Sequence, residues 1–582
     1  MSITTQALKP SALKPWLKYY SEEAVHTELP KATIYQYIYE NNKAHRDNIA
    51  INYFGNRISY GKLLEHIDRC AAAFTALGVQ KGDVVCCASV TIPELTYVLY
   101  GLNKIGASLL VLDPRRSTVE MQPFLEKSTK KVAMVIDLAY DHVSKALEGF
   151  GFEKTVVISP DSSMPFFTRK LKQLKMPAPQ IKYDGKTISY SSFVRLGNGQ
   201  TVEEVAYGEN DLAAITLTGG TTGSPKGVML SNDGFNAVAL DFQLCGVRYT
   251  RNQRFLNIIP AFASYGIVSS LHMPLSLGLE VVMIPKFDPD RVGHLVKKYR
   301  PAHTLLVPAH YEKLMNSKEM QNGFDLSFLE TAGSGGDTMN AGLEGKLNAF
   351  LKEHGCKYPL SQGYGMSEVS SAASCCCNGN FKSLSVGYPL LTTTISIFKP
   401  GTTEELGFNE EGEICISGPS VMLGYFNNPE ETEQVLKKHP DGTVWVHSGD
   451  LGYMDEDGFI FIRGRIKRMI TRFDGHKIFP TQVESVISTH KDVLSCAVVG
   501  VKDALHAQGM MAVAVMELRE SCDEKTVRSE VEQICCAELE DRGRPIDYLF
   551  VQQMPHTGMG KIDYAKLTDY YENSCVQMGE AV

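Results

Sequence analysis

The chain has 582 residues, of which 43% are hydrophobic and 21% charged, with a net charge of −8. That length can bury large cores and calls for more than one domain, and the composition is that of an ordinary soluble globular protein. The acidic balance argues against a general nucleic-acid binder.

Residues 1–18 contain Pro10, Pro15 and three lysines but no continuous apolar core, so no secretory signal is expected and the chain reads as cytoplasmic. Fourteen cysteines lie scattered without a CxxC pair, which fits reduced, mostly buried thiols in that compartment. From about Thr33 to Leu112 the pattern alternates: a helix around Leu63 to Leu77, a buried strand at Val84 to Ala88, a helix from Ile92 to Ile105 and a strand at Ala107 to Leu112. Such alternation implies βαβ units and a mostly parallel sheet. Ser159 to Gly199 changes character, with four prolines and the basic run Arg169 to Lys175, and reads as a connector or surface excursion. Its basic run reads as a solvated face, with anionic lipid as the alternative.

Phe255 to Leu279 holds 25 residues without Asp, Glu, Lys or Arg, long enough to span a bilayer. Asn257, Pro260, His272 and Pro274 weaken it as a lipid-facing helix, so it reads as a buried loop and helix lining a pocket, and no transmembrane segment is expected. The triplet Cys375-Cys376-Cys377 has no spaced partner pair, and adjacent residues rarely converge on one tetrahedral ion, so no metal is expected there. From Gly412 to Gly464 short strands and turns take over, and after about Ile466 a new unit places strands at Leu494 to Val499 and Met511 to Met516 among helical segments. The expected fold class is α/β: a large N-terminal region of mostly parallel βαβ sheets with a small β-rich subdomain, residues 1–465, and then a small α+β domain, residues 466–582.

The segment Leu217 to Gly227 concentrates phosphate-binding groups. Gly219, Gly220, Gly223 and Gly227 let the backbone bring its N–H groups close to an anion, Thr218, Thr221 and Thr222 add hydroxyls, and Lys226 adds a mobile positive charge. The apolar run Leu212 to Leu217 before it reads as a buried strand, and strand ends are where α/β sheets bind ligands. The loop is not a Walker A motif, because Pro225 precedes Lys226 and Gly227 follows it.

Four further segments carry groups that a nucleotide needs. Gln362 to Glu368 sets Tyr364 between Gly363 and Gly365, followed by Met366, Ser367 and Glu368; the ring can stack on a base and the carboxylate can hold Mg²⁺. Trp445 to Asp450 places an acid after a tight glycine turn, where it can accept hydrogen bonds from both ribose hydroxyls, and Arg465 follows within reach of the same sugar. Pro555 to Ile562 puts Lys561 on a glycine-flanked turn.

Together and in this order these segments resemble the adenylate-forming superfamily of acyl-CoA synthetases, peptide-synthetase adenylation domains and luciferases, over about Thr33 to Leu567. Thr221 to Gly227, Gly424 to Thr432 and Gly560-Lys561 look most like fatty-acid CoA ligases. The resemblance implies a two-step reaction with ATP, Mg²⁺ and coenzyme A: a carboxylic acid attacks ATP to give acyl-AMP and pyrophosphate, and a thiol then displaces AMP. It implies that Thr218 to Gly227 holds the β and γ phosphates, that Glu368 carries Mg²⁺, and that Gly335, Gly336 and Asp337 lie along adenine with Tyr364 on its other side. Asp450 and Arg465 would fix the ribose. Lys561, in the C-terminal domain, would steady the transferring phosphate, so Lys561, Glu368 and Thr218 are the catalytic candidates and the C-terminal domain is expected to be mobile. Lys467 matches the hinge of that motion and Gly475 the thiol-acceptor loop, with Arg468, Arg472 and Lys477 where a CoA phosphate would be met.

Phe262, Ala263, Tyr265 and Gly266 match the wall of the acyl pocket. Ala263 replaces a common histidine there, Gly219 a common serine and Ser367 a common threonine, while the loop Thr471 to Gly475 is one residue longer than usual and Gln482 replaces a frequent glutamate. The leading expectation is a ligase for a medium- or long-chain aliphatic acid and CoA. The alternatives are loading of an acyl-carrier-protein phosphopantetheine, an aryl-acid CoA ligase, and a non-catalytic nucleotide-binding homologue.

Overall fold

The structure, a computed structural model, describes residues 9–218, 225–321, 323–503, 506, 509–519, 522–555 and 562–578, the last six without side chains. Gly219, Gly220, Thr221, Thr222, Gly223 and Lys561 lie outside the described residues.

Two large sheets dominate the N-terminal part. In one, Val84–Ala88, Ser108–Leu112, Val132–Ile136, Lys154–Ile158, Thr187–Ser189 and Leu212–Leu217 run parallel, and Gly227–Ser231 turns back antiparallel beside Leu212–Leu217. Ser108–Leu112 and Val132–Ile136 are buried along their whole length, as parallel strands are when helices cover both faces. The other sheet has a parallel centre, with Ile49–Tyr53, Glu280–Met283, Arg254–Asn257, His303–Leu306, Thr331–Ser334 and Ser361–Tyr364 in register. The helix Tyr60–Ala76 is capped by Ser59, whose hydroxyl accepts from the Lys62 N–H at 3.3 Å. It packs closely on Pro93–Lys104 because Gly101 faces it: a Cβ there would lie 3.1 Å from the Cys70 Cβ.

A five-stranded antiparallel sheet follows, containing Gly412–Ser417, Val444–Met454 and Ile460–Arg465. After Arg465 a short turn, Ile466–Arg468, leads into the C-terminal part. There Val493–Lys502, Met510–Leu518 and Asp547–Val551 form one sheet. Alternation sorts its side chains: Cys496, Val498, Ala512 and Ala514 pack on the helices Pro480–Ile487 and Glu524–Glu538, while Ala497, Val499, Val513 and Val515 pack on Leu567 of Tyr564–Met578. The architecture matches the expected α/β class.

Two expectations change in detail. Ser159 to Gly199 is more than a connector: it holds the helix Phe166–Lys175, the strand Thr187–Ser189 that extends the sheet by pairing with Lys154–Ile158, and the helix Tyr190–Leu196 with Phe193 fully buried. In the uncharged stretch, Tyr265–His272 is a π-helix running into Met273–Ser276. That stretch is buried, and among the described residues no helix is long and apolar enough to cross a membrane. The described cysteines are free thiols, most of them buried.

Candidate active site

Thr218 stands just past the end of Leu212–Leu217 and closes the base of the glycine-rich loop. Its N–H donates to the Lys226 carbonyl at 2.9 Å, and its hydroxyl accepts from the Lys226 N–H at 3.1 Å. The two ends of the loop are thereby held as a hairpin neck. The segment Gly424-Tyr425 pairs antiparallel with the strand leaving the loop, Tyr425 opposite Val228. This pairing brings two groups to Lys226: its ammonium is ion-paired with Glu431 and lies 5.0 Å from the centre of the Tyr425 ring.

Tyr425 links the loop to the next segment, because its hydroxyl donates to Glu368 Oε1 at 2.7 Å. Glu368 is buried in the short turn Ser367–Val369, and its own carbonyl accepts from the Met422 N–H at 2.9 Å. One carboxylate oxygen is thus engaged by a neutral donor. The set fits a hard divalent cation, which takes oxygen ligands and commonly keeps several waters.

Asp450 is buried between two partners. Its Oδ2 accepts from the Tyr364 hydroxyl at 2.7 Å and its Oδ1 lies 2.6 Å from Arg465 Nε. The strands place them: Asp450 and Arg465 are opposite one another in the antiparallel pair Val444–Met454 and Ile460–Arg465. Desolvation works against the Arg465 charge, but Asp450, Tyr364, Glu368 and Tyr425 outweigh it and raise its pKa. Burial, together with Asp450, holds the Tyr364 hydroxyl well above its ordinary pKa, so it stays a donor. Tyr364, Glu368, Asp450 and Arg465 form one electrostatic group, and Lys226 joins it through Tyr425.

A carboxylate behind this group fixes the Asp450 turn. Glu413 accepts from His447 Nδ1 at 2.9 Å and from the Gly449 N–H at 3.0 Å, and His447 Nε2 is 3.0 Å from His439 Nε2. Burial disfavours ionised Glu413, yet His447 and the Gly449 N–H outweigh burial and lower its pKa. Glu413, Cys415 and His447 are close enough to hold a metal ion, but this hydrogen-bond chain already uses the carboxylate.

The segments expected to meet adenine and the acyl group come together at the strand ends. The Gly335 N–H donates to the Leu306 carbonyl at 3.1 Å, Gly336 has φ of 83°, and the Tyr265 ring lies 3.9 Å from where a Gly336 side chain would begin. Gly363 approaches from the other side, its carbonyl 3.2 Å from the corresponding point on Gly335. Asp337 is exposed. The Ser264 hydroxyl donates to Ser367 Oγ at 3.2 Å, tying the stretch that holds Phe262, Ala263, Tyr265 and Gly266 to the Gly363, Tyr364, Gly365, Met366 and Ser367 segment. Phe262 is buried under the Arg115 guanidinium, 5.5 Å from its ring centre.

In the C-terminal part, Lys467 is exposed on the turn after Arg465, and Gly475, with φ of 79°, tips a small hairpin with no atom within 4 Å of its missing Cβ. Arg468 does not stand free for a phosphate: it bonds Glu484 at 2.6 Å and stacks 3.6 Å from the centre of the Tyr564 ring. Arg472 faces Asp474 at 3.6 Å, while Lys477 is exposed. The flanks of the Lys561 segment are tied together by the Asp563 N–H donating to the Pro555 carbonyl at 2.9 Å. Burial holds the Tyr564 hydroxyl well above its ordinary pKa, with Glu484 adding to the shift and the stacked Arg468 opposing it.

Sequence reasoning missed Tyr425, Glu431 and Glu413 as site residues. The Gly424 to Thr432 stretch marked the region, but the partners come from strand pairing across some 200 positions of chain.

Residues 38–426 match the AMP-binding enzyme family and residues 482–561 match the AMP-binding enzyme C-terminal domain. The chain is 30% identical to a long-chain-fatty-acid–CoA ligase of Bacillus subtilis (strain 168), over 94% of this chain and 96% of that protein. It is 29% identical to a probable 4-coumarate–CoA ligase 1 of Dictyostelium discoideum, over 87% and 88%. Its fold resembles that of ATP-bound MatB from Rhodopseudomonas palustris, with a TM-score of 0.78 at 23% identity, covering 93% of this chain and 100% of that one. The chain belongs to the AMP-binding enzyme family, with the fold and domain order of its AMP-forming acid–thiol ligases.

Proposed function

We propose that this enzyme joins a carboxylic acid to the thiol of coenzyme A through an acyl-AMP intermediate. A carboxylate oxygen attacks the α-phosphorus of ATP, the bond from that phosphorus to the bridging oxygen breaks, and pyrophosphate leaves. The thiol sulfur then attacks the acyl carbonyl, its proton passes to solvent, and AMP departs with the oxygen it gained. One observation carries this reading: Lys226, Tyr425 and Glu368 form one chain of contacts at the neck of the glycine-rich loop, Tyr364, Asp450 and Arg465 form a second, and Glu368 and Tyr425 both favour the charge on Arg465.

Each residue has a task in that scheme. Thr218 and Lys226 hold the loop for the β and γ phosphates, Lys226 releasing Glu431 to meet them. Glu368 would hold Mg²⁺, which supplies charge neutralisation on the phosphates when bound. Asp450 and Arg465 receive the ribose, and Gly335, Gly336 and Tyr364 receive adenine. Lys561 acts on the transferring phosphate from the C-terminal domain, residues 466–582. Lys467 is the hinge against residues 1–465, and the open backbone at Gly475 admits the thiol arm.

A medium- or long-chain aliphatic acid is the favoured substrate, supported by the buried uncharged stretch Phe255 to Leu279 and by the likeness to the Bacillus enzyme. The likeness to the 4-coumarate ligase keeps an aryl acid as the second reading. Incubation with ATP, CoA and a panel of aliphatic and aryl acids should release AMP in step with one acyl-CoA series. Failure of every aliphatic acid removes the fatty-acid assignment. Acyl-AMP that accumulates beside CoA and is consumed by a carrier protein removes CoA as the acceptor.

A further inference from the structure

The helix Phe166–Lys175 buries none of its residues. Phe167 is 84% exposed, Leu174 83%, Leu171 60% and Phe166 57%, so an amphipathic helix turns its apolar face outward. The spacing of Phe167, Leu171 and Leu174, four residues and then three, lines them up as one stripe. Met176, just past the helix, is also 60% exposed.

The charge on this excursion opposes that of the whole chain. From Phe166 to Tyr183 there are Arg169, Lys170, Lys172, Lys175 and Lys182 and no Asp or Glu, in a protein of net charge −8. Lys172 points inward and is ion-paired with Asp161. Arg169 and Lys170 lie over the Phe166 ring, at 5.8 and 5.9 Å from its centre, beside the apolar stripe.

The helix is fixed to the body at its start. The Tyr53 hydroxyl donates to the Pro160 carbonyl at 2.8 Å, Asn56 Nδ2 to the Ser163 carbonyl at 2.9 Å, and the Ser163 hydroxyl to Glu94 at 2.7 Å. Its outward face is therefore a fixed feature of the fold.

We propose that this helix is a docking element for an anionic lipid surface, lying in the interface with Phe167, Leu171 and Leu174 below the headgroups and Lys170 and Lys175 among the phosphates. Aromatic and aliphatic residues on one face with lysines beside them are what interfacial binding requires, and neither signal alone gives stable attachment. A second copy of the chain is a poor occupant, because two such helices would bring like charges together. The proposal is independent of which acid the enzyme activates.

The test is flotation of the full-length protein with vesicles of phosphatidylcholine alone and with roughly 30% phosphatidylglycerol added. The protein should float with the anionic vesicles at least about tenfold more than with neutral ones, and the excess should fall as salt rises. Phe167→Ser/Leu171→Ser/Leu174→Ser and Lys170→Glu/Lys175→Glu should each lose that binding while keeping the wild-type melting temperature and ATP turnover. Equal flotation of the variants, equal flotation with neutral vesicles, or no flotation of the wild type overturns the proposal. So does a dimer in solution that the serine variant dissolves without lipid.

Discussion

Asp450 owes its place to two neighbours of different kinds: a neutral hydroxyl from Tyr364 and a cation from Arg465. In the proposed scheme such an acid is oriented before the ribose arrives. Asp450→Asn keeps the shape and removes the charge, and kcat/KM for ATP should fall about a hundredfold, measured by pyrophosphate exchange. Tyr425→Phe removes the donor to buried Glu368. A hydrogen bond to a charged group is worth about 1.5–3 kcal/mol, so KM for ATP should rise about tenfold or more, with the fold retained; an unchanged KM removes Tyr425 from the site. Asp450, Arg465, Tyr364 and Glu368 were legible because each sits in a short stretch with its own glycine turn. Tyr425 and Glu431 were not, since nothing local says that Gly424-Tyr425 will pair with Val228-Met229.

Among the elements, the π-helix Tyr265–His272 begins at the proposed acyl wall and carries a buried histidine. His272 bonds the Tyr100 hydroxyl at 3.0 Å and Asn236 at 3.1 Å, and burial pushes it down to about 3. Its folded-state value thus lies below the unfolded value, so its stabilisation is complete above the unfolded value of about 6.5 and is lost as pH falls from there toward 3. His272→Gln should melt lower than wild type at pH 7, and the gap should narrow as pH drops, by about 1.4 kcal/mol per unit below pH 6; a gap that widens contradicts neutral burial. Backbone crowding makes a second test. A Cβ at Gly365 would meet the Ser371 carbonyl at 1.8 Å, whereas at Gly345, inside Ala341–Glu353, it would meet nothing within 4 Å. Gly365→Ala should cost solubility or most of the activity, and Gly345→Ala should raise the melting temperature slightly. The parallel strands Val84–Ala88, Ser108–Leu112 and Leu212–Leu217 could be read in advance because they are nearly continuous apolar runs, whereas Thr187–Ser189, Thr331–Ser334 and Ser361–Tyr364 are too short and polar to stand out. The π-helix could not, because apolar spacing does not separate a widened turn from an α-helix, and four prolines masked the helices between Ser159 and Gly199.

For the molecule as a whole, the contacts that build the site join residues from Thr218 to Arg465, and the proposed division near Arg465 matters most. Lys467→Pro fixes one backbone angle at the proposed hinge and should leave pyrophosphate exchange near wild type while slowing thioester formation about a hundredfold. Equal loss of both half-reactions would remove the hinge assignment. Lys561→Ala should lower adenylation by orders of magnitude while leaving ATP binding, measured by calorimetry, nearly intact. The α/β class and the order of the two parts were readable from strand and helix alternation; the stacking of Arg468 on Tyr564, nearly a hundred positions away, depends on packing that no local pattern encodes.

In the proposed reaction a carboxylate oxygen attacks the α-phosphorus of ATP. Supplying the acid with its carboxylate labelled with heavy oxygen, and weighing the products by mass spectrometry, reads out that attack. The predicted result is one labelled oxygen in the phosphate of AMP for each acyl-CoA formed, and none in pyrophosphate. Label in inorganic phosphate with ADP as the other product, or AMP without label, would contradict it.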